Sequence, residues 1–300
     1  MAKAQKIKVI THDGSFHADD IFAVASLTRV LDAHNLEIIR TRDEEVIRTG
    51  DYVLDVGFVY DEAKNRFDHH QPGKAGAREN GIFYSSFGLV WKKFGASVAG
   101  SKEIAEIIDQ KLAQPIDAVD NGQDIFTATI KGVRPYTIAD LIFSFRPSWN
   151  ESGGDYYASF MKAVRLASDV LEREIIQAGG EAAAAKLIEK AIAEAVDKRV
   201  VVFAGNWPWE RVLAAYSEVL FIISPHDEKR WHLETVPRQS GGFIPRRPLP
   251  EAWAGKTGED LQKITGVSDA IFCHNNLFVA SAGSKEGALA LAKLALEYGN

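Results

Sequence analysis

The sequence predicts an α/β protein: a mainly parallel N-terminal β-sheet flanked by helices, a helical connector, and a smaller C-terminal α+β domain. Three observations predict it. Between Lys8 and Asp55, short β-branched runs alternate with helical periodicity, in the order strand, helix, strand, helix, strand, the signature of parallel strands joined by right-handed crossovers. Histidines and aspartates stand at the carboxyl ends of those strands, where open α/β sheets bind their ligands. At Arg199 the character changes from long amphipathic helices to short strands and turn-rich connections. A chain of 300 residues fits two domains. We expect residues 1–198 to form the first, with a connector from about 125 to 198, and residues 199–300 to form the second.

Lys8-Val9-Ile10-Thr11 reads as a buried strand ending at His12, followed by the turn chemistry of Asp13-Gly14-Ser15. From Asp19, apolar residues recur at helical spacing as far as His34-Asn35. Leu36 to Ile39 is a second strand, Asp43 caps a short helix through Arg48, and Tyr52-Val53-Leu54 is a third strand ending at Asp55. A short run ends at Asp68-His69-His70 and turns at Gln71-Pro72-Gly73; Lys74 to Ile82 reads as a surface loop. Helices follow over Tyr84 to Phe94 and Ser101 to Val119, the second broken or kinked at Pro115. Thr137 to Phe145 is a further helix, and Tyr156 to Ala178 and Glu181 to Lys198 are two long helices separated by Gly179-Gly180. Beyond Arg199, strands are expected over Val200 to Phe203, Val219 to Ile223 and Trp231 to Val236. A hairpin is expected around His274-Asn275-Asn276, then a final helix capped by Ser284.

Hydrophobic residues make up 46% of the chain and charged residues 25%, the balance of a soluble globular protein. No apolar run reaches the ~18 to 20 residues of a membrane span. The polar start, Met1 to Lys6, runs directly into a strand and predicts no signal peptide. The one cysteine, Cys273, excludes an internal disulfide and a cysteine-based zinc site. We therefore expect a cytoplasmic protein. A net charge of -6 argues against a generally basic nucleic-acid binder, though metal ions and local basic patches could still meet phosphates.

Any one of these histidines reads as an ordinary surface or core residue, and we leave His34, His226 and His232 there. Asp13 is readable as a turn residue and Asp117 as a capping residue. The set of His12, His17, Asp19, Asp55, Asp68, His69 and Asp120 is harder to dismiss, because the same chemistry recurs at successive strand ends. Asp117 and Asp120 stand at i and i+3, so one helical turn could present both on one face. Imidazole and carboxylate donors without thiolate suit two divalent ions, Mn²⁺ first, with Mg²⁺, Co²⁺ or Zn²⁺ as alternatives. Such a pair needs a bridging carboxylate, and Asp55 is the natural one.

Asp68-His69-His70, with the other acidic motifs, resembles the DHH phosphoesterase superfamily. Within it, residues 11–20 (THDGSFHADD), Val53-Leu54-Asp55-Val56-Gly57 and Asp117-Ala118-Val119-Asp120-Asn121-Gly122 look like the melanocyte-proliferating-gene (Myg) family of metal-dependent hydrolases. Arg247-Pro248-Leu249-Pro250-Glu251 and the tail from Phe272-Cys273-His274 to Glu286-Gly287-Ala288-Leu289 fit the same pattern, so the likeness runs along nearly the whole chain. It implies a DHH-type N-terminal domain and a site in the cleft towards a smaller second domain. It also implies Mn²⁺-dependent phosphodiesterase chemistry on RNA, as a 3′-5′ exonuclease. By the same resemblance His12, His17 and Asp55 hold one metal, and Asp19, Asp55, His69 and Asp120 the other. His70 then lies at the substrate phosphate, with Asp68 orienting a neighbouring imidazole. His17 departs from the wider superfamily, whose members usually carry Asp there.

For the substrate, the expected contacts are Arg238, Arg246 and Arg247 in a Pro/Gly-rich stretch, with Gly241 and Gly242 allowing a close backbone approach to an anion. The expected partners are RNA ends or short oligonucleotides and no membrane. Two alternatives stand beside this reading: hydrolysis of a small phosphoanhydride or nucleotide such as pyrophosphate, and a catalytically silent metal- or nucleotide-binding regulator.

Overall fold

The computed structural model describes residues 6–31, 33–239 and 241–298. It contains two five-stranded sheets flanked by helices, and the chain divides into two units, Met1–Gly179 and Gly180–Asn300.

In the first unit, β1 (Ile7–Thr11), α1 (Ala18–Val30), β2 (Leu36–Arg40), α2 (Glu44–Arg48) and β3 (Tyr52–Leu54) follow the expected alternation. The edge is completed by β4 (Tyr60–Asp61) and β5 (Arg66–Phe67). The sheet order is β2-β1-β3-β5-β4. All pairs are parallel except β4 with β5, so this is a mainly parallel sheet with one antiparallel edge strand. Parallel registry of β1 with both β2 and β3 brings the carboxyl ends of these strands to one rim. Every residue of α1 from Ala18 to Leu27 is buried. A helix apolar on all sides belongs in an interior, yet this one carries Asp19 and Asp20 inward in its first turn.

Four more helices follow in this unit: α3 (Ser86–Ala99), α4 (Lys102–Ile108), α5 (Gln114–Asp120) and, within the expected connector, α6 (Ile138–Phe143). Pro115 stands in the first turn of α5, where its missing N–H costs nothing, and a π-helical turn at Asp109–Ala113 joins α4 to α5. The expected break at Pro115 therefore takes the form of a wide turn just upstream.

The two long helices expected on either side of Gly179-Gly180 are one, α7 (Tyr156–Glu194), 39 residues long. Glycine in a helix interior costs only about 1 kcal/mol relative to alanine. The alanine-rich flanks and the burial of Ala178, Ala184, Ile188 and Ile192 outweigh that. The boundary between the units thus falls inside a helix, while the change in composition falls at Arg199.

The second unit holds β6 (Val200–Val202), α8 (Glu210–Leu213), β7 (Phe221–Asp227), β8 (Arg230–Thr235), α9 (Gly258–Thr265), β9 (Ala270–Cys273), β10 (Val279–Ala282) and α10 (Lys285–Glu297). Its sheet order is β6-β7-β8-β10-β9, and only β6 with β7 is parallel. Alternation along β7 divides the core. Phe221 and Ile223 pack with Leu233, Leu261 and Leu291, while Ile222 faces Val201, Ile188 and Leu213. Ser284 caps α10, its hydroxyl accepting the Gly287 N–H at 3.0 Å.

Candidate metal centre

Four segments of the first unit meet at the carboxyl rim of its sheet. His12 leaves the end of β1, and its Nδ1–H donates to the Asp13 carbonyl at 2.9 Å, which leaves Nε2 as the donor atom facing inward. His17 stands at the N-cap of α1, where its backbone N–H donates to Asp20 Oδ1 at 2.9 Å. Asp55 follows β3 in the left-handed region, at φ 55°, with its N–H tied to the Phe67 carbonyl at 3.1 Å. His69 and His70 follow β5, and Asp120 is the last residue of α5.

The two oxygens of Asp55 are divided between two sets of partners. Oδ2 lies 3.2 Å from His12 Nε2, while Oδ1 lies 3.3 Å from His69 Nε2 and 3.4 Å from His70 Nδ1. His69 Nε2 is also 3.1 Å from Asp120 Oδ2 and 3.8 Å from Asp19 Oδ2. Three groups of donor atoms fall within 4.8 Å of one another: His12, His17 and Asp55; Asp55, His69 and His70; His17, Asp19 and Asp120. All six residues expected as ligands belong to these groups.

The residues present fit divalent cations. Buried polar atoms at this rim, His12 Nε2, Asp19 Oδ1, Asp20 Oδ2, Asp55 Oδ1 and His69 Nε2, are satisfied by no hydrogen bond beyond the crowded imidazole–carboxylate approaches of the cluster itself. Orphaned atoms this well buried are costly unless something else satisfies them. Electrostatics point the same way. Burial, followed by the charges of Asp120, Asp55 and Asp20, holds the Asp19 pKa well above the carboxylate range. Burial lowers the imidazole pKa of His12, but contacts with Asp20 and Asp55 carry it up to about 10. Burial likewise opposes protonation of His69, and Asp120 and Asp55 raise it to about 10. Burial pushes the Asp55 carboxyl up, yet His12 and His69 hold it well below the usual value. Carboxylates crowded in this way cannot all ionise without added positive charge, which protons or cations can supply.

Asp68 sits beside this cluster, buried, and uses both oxygens. Oδ1 accepts from His70 N at 3.0 Å and from His70 Nδ1 at 2.8 Å, and Oδ2 accepts from Phe58 N at 2.6 Å. Burial opposes ionisation, but those three N–H donors lower its pKa. The imidazole so oriented is that of His70, whose side chain is 51% exposed at the rim.

Three contributors were not singled out from the sequence. Asp20 is fully buried and places Oδ2 3.2 Å from His12 Nε2. Arg146 donates from Nε to the Phe16 carbonyl at 2.6 Å and lies over the Phe143 ring at 3.9 Å, which pins the loop carrying His17. Phe58 is exposed beside His70, with ring centroids 6.4 Å apart. Asp13 and Asp117 lie outside the donor groups. Asp13 is exposed and pairs with Arg42 at 3.2 Å. Asp117 is buried and accepts from Ser85 Oγ at 2.5 Å, Gly88 N at 3.0 Å and Arg78 Nη1 at 2.7 Å.

In the second unit, Gly241 and Gly242 line a cavity of about 460 Å³ with Trp209, Glu234 and Phe243. Arg238 Nε donates to the Pro245 carbonyl at 3.3 Å. The Arg246 guanidinium is occupied by the carbonyls of Leu213, Tyr216 and Val219, and Arg247 donates to the Tyr298 carbonyl. Among the described residues, no helix is long and apolar enough to cross a membrane.

Residues 8–296 match the model of a MYG1 exonuclease family described as an uncharacterised protein family (UPF0160). The chain is 30% identical to the MYG1 exonuclease of Rattus norvegicus, over 96% of this chain and 84% of that protein. It is equally similar to the MYG1 exonuclease of Homo sapiens, over 96% and 85%. A MYG1 protein of Schizosaccharomyces pombe is 30% identical over 97% of this chain and 98% of its own. No solved structure matches.

Proposed function

Because this chain belongs to the MYG1 exonuclease family, we propose that it hydrolyses phosphodiester bonds as a dinuclear, Mn²⁺-dependent 3′-5′ exonuclease acting on RNA ends or short oligonucleotides. The observation that carries the reading is the division of the Asp55 carboxylate, with one oxygen turned to His12 and the other to His69. His12, His17 and Asp55 would hold one ion, and Asp19, Asp55, His69 and Asp120 the other. When bound, two divalent ions lower the pKa of a water and neutralise charge on phosphoryl oxygens.

The remaining work falls to the chain itself. The Asp13 carbonyl fixes the tautomer of His12 and so keeps Nε2 available. Asp20 does two things at once: it caps the backbone of His17 and turns a carboxylate oxygen towards His12. Asp68 holds the His70 ring by Nδ1, which leaves Nε2 to donate to a phosphoryl oxygen from the exposed rim. In the second unit, Arg238 with Gly241 and Gly242 are kept as substrate contacts. Arg246, already committed to three carbonyls, is assigned to holding the loop after α8.

The test is metal content together with Mn²⁺-dependent hydrolysis of a short single-stranded RNA, a short DNA, pyrophosphate and a cyclic dinucleotide. Stepwise release of nucleotides from the RNA 3′ end, lost with the bound metal in Asp55→Ala while the fold persists, is the expected result. Full activity in Asp55→Ala would refute the assignment of the centre. Turnover of pyrophosphate alone would move the chemistry to a small phosphoanhydride.

A further inference from the structure

A second cavity, of about 480 Å³, opens between α2, the loop after β3 and the β4–β5 edge, within the size range of small-molecule sites. Its floor is apolar, formed by Ile47, Val53 and Val56. Four cations line it, Arg42, Arg48, Lys64 and Arg66, against two anions, Glu44 and Asp61. In a chain of net charge -6 this is a local excess of positive charge. The cations have partners. Arg48 pairs with Glu44 and Glu45, Lys64 with Asp61 at 2.9 Å, and Arg66 donates to the Gly50 carbonyl at 2.9 Å. Arg42 stands nearest the metal centre, its Nη2 3.3 Å from His12 Nδ1. Its pair with Asp13 joins side chains that are 64% and 57% exposed, and so exposed an ion pair yields readily to a phosphate.

At the mouth stands Phe58. The residue is 69% exposed although its backbone holds φ at 56°, a conformation bulky residues rarely adopt and that persists where surrounding structure fixes it. The fixing group is Asp68, which accepts the Phe58 N–H on one oxygen and holds His70 on the other. One buried carboxylate thus sets both a ring at the cavity mouth and an imidazole at the metal rim. An open aromatic face, an apolar floor and nearby guanidinium groups match a nucleobase and its phosphate.

We propose that this cavity is a subsite for one nucleotide of a single-stranded nucleic acid, whose base stacks on Phe58 while Arg42 meets its phosphate. The subsite rests on the phosphodiesterase reading above and adds to it the place where the nucleotide next to the scissile bond is held. It gives Phe58 a role in recognising any base by its face, with little preference for sequence.

The experiment compares wild type with Phe58→Ala and Phe58→Trp. One substrate is a short single-stranded oligonucleotide carrying 2-aminopurine beside the scissile phosphate. Its counterpart is abasic at that position. Affinity is read by fluorescence or competition, turnover by kcat/KM, and metal content alongside. Phe58→Ala should weaken binding of the intact substrate roughly 5- to 100-fold, leave the abasic substrate unaffected, and keep its metal, with Phe58→Trp restoring affinity. Unchanged affinity for the intact substrate, or an equal loss on the abasic one, overturns the subsite and leaves the phosphodiesterase reading standing. Wild type that neither binds nor cleaves the oligonucleotide with Mn²⁺ present overturns that reading, and the subsite with it.

Discussion

Gly88→Ala offers a test in which two physical effects have opposite signs. Gly88 lies in the first turn of α3, where alanine is the better helix former by at most about 1 kcal/mol. On propensity alone the variant would be stabilised. A Cβ at Gly88, however, would stand 1.8 Å from Asp117 Oδ2 and 2.7 Å from its Cγ. No rotation of the methyl relieves an overlap of that size, so the carboxylate must leave its place. Crowding of this kind costs about 1 to 3 kcal/mol. Losing Asp117 as acceptor for Ser85 and Gly88 adds about 1 to 3 kcal/mol for each buried donor left unpaired. Arg78 keeps its second partner, Asp109, at 2.6 Å, which limits the loss. The net expectation is a destabilisation of about 2 to 8 kcal/mol, read by urea denaturation at neutral pH. Three residues further along α5 stands Asp120, so metal affinity should fall as well. The control is the same substitution in an Asp117→Ala background. With the carboxylate gone there is room, and Gly88→Ala should then be neutral or stabilising. An equal cost in both backgrounds would refute the argument.

Two further outcomes concern charge. Asp20→Asn keeps a side chain that can cap His17 but removes the anion beside His12. It should weaken metal binding about 10- to 100-fold, as is usual for groups that support ligands, with secondary structure intact by circular dichroism. Unchanged metal affinity would make Asp20 a capping residue only. In the second unit, burial, with the neighbouring His226 and Arg230, pushes the His232 pKa down to about 4 from the ordinary 6.5. Between those values the unfolded chain takes up a proton that the folded one does not, so stability falls as pH drops through that window. His232→Gln should lessen the fall in urea midpoint between pH 7 and pH 5, and parallel midpoints in both proteins would sink the idea.

The parallel sheet was legible because β-branched runs and helical periodicity alternate so regularly before Asp55, and the ligand types stand at the ends of those runs. What escaped the sequence was whatever depends on three-dimensional partners. Asp19 and Asp20 look alike as acidic residues in a first helical turn, and only the fold shows Asp20 serving His12 and the His17 backbone together. Arg246 in a Pro-rich stretch reads the same whether it faces an anion or, as here, three carbonyls. Gly179-Gly180 reads as a break, because the sequence shows the local cost of glycine and not the packing of Ala178 and Ala184 that offsets it. Phe58 gives no sign of its left-handed backbone, since only glycine advertises that conformation.

The left-handed residues after β3 bear on when the centre can form. Asp55, Gly57 and Phe58 all have positive φ. Asp55 is held there by pairing with Phe67, and Phe58 by Asp68, residues that follow later in the chain. Asp120 follows later still. A chain emerging from the ribosome therefore carries His12 and His17 well before it carries anything that could aim Asp55 between them and His69. Early capture of a stray ion by the first histidines would engage only part of the donor set, and exchange should be easy until α5 has docked. If these groups hold metal, as proposed, the full donor set would be on offer only in the finished fold.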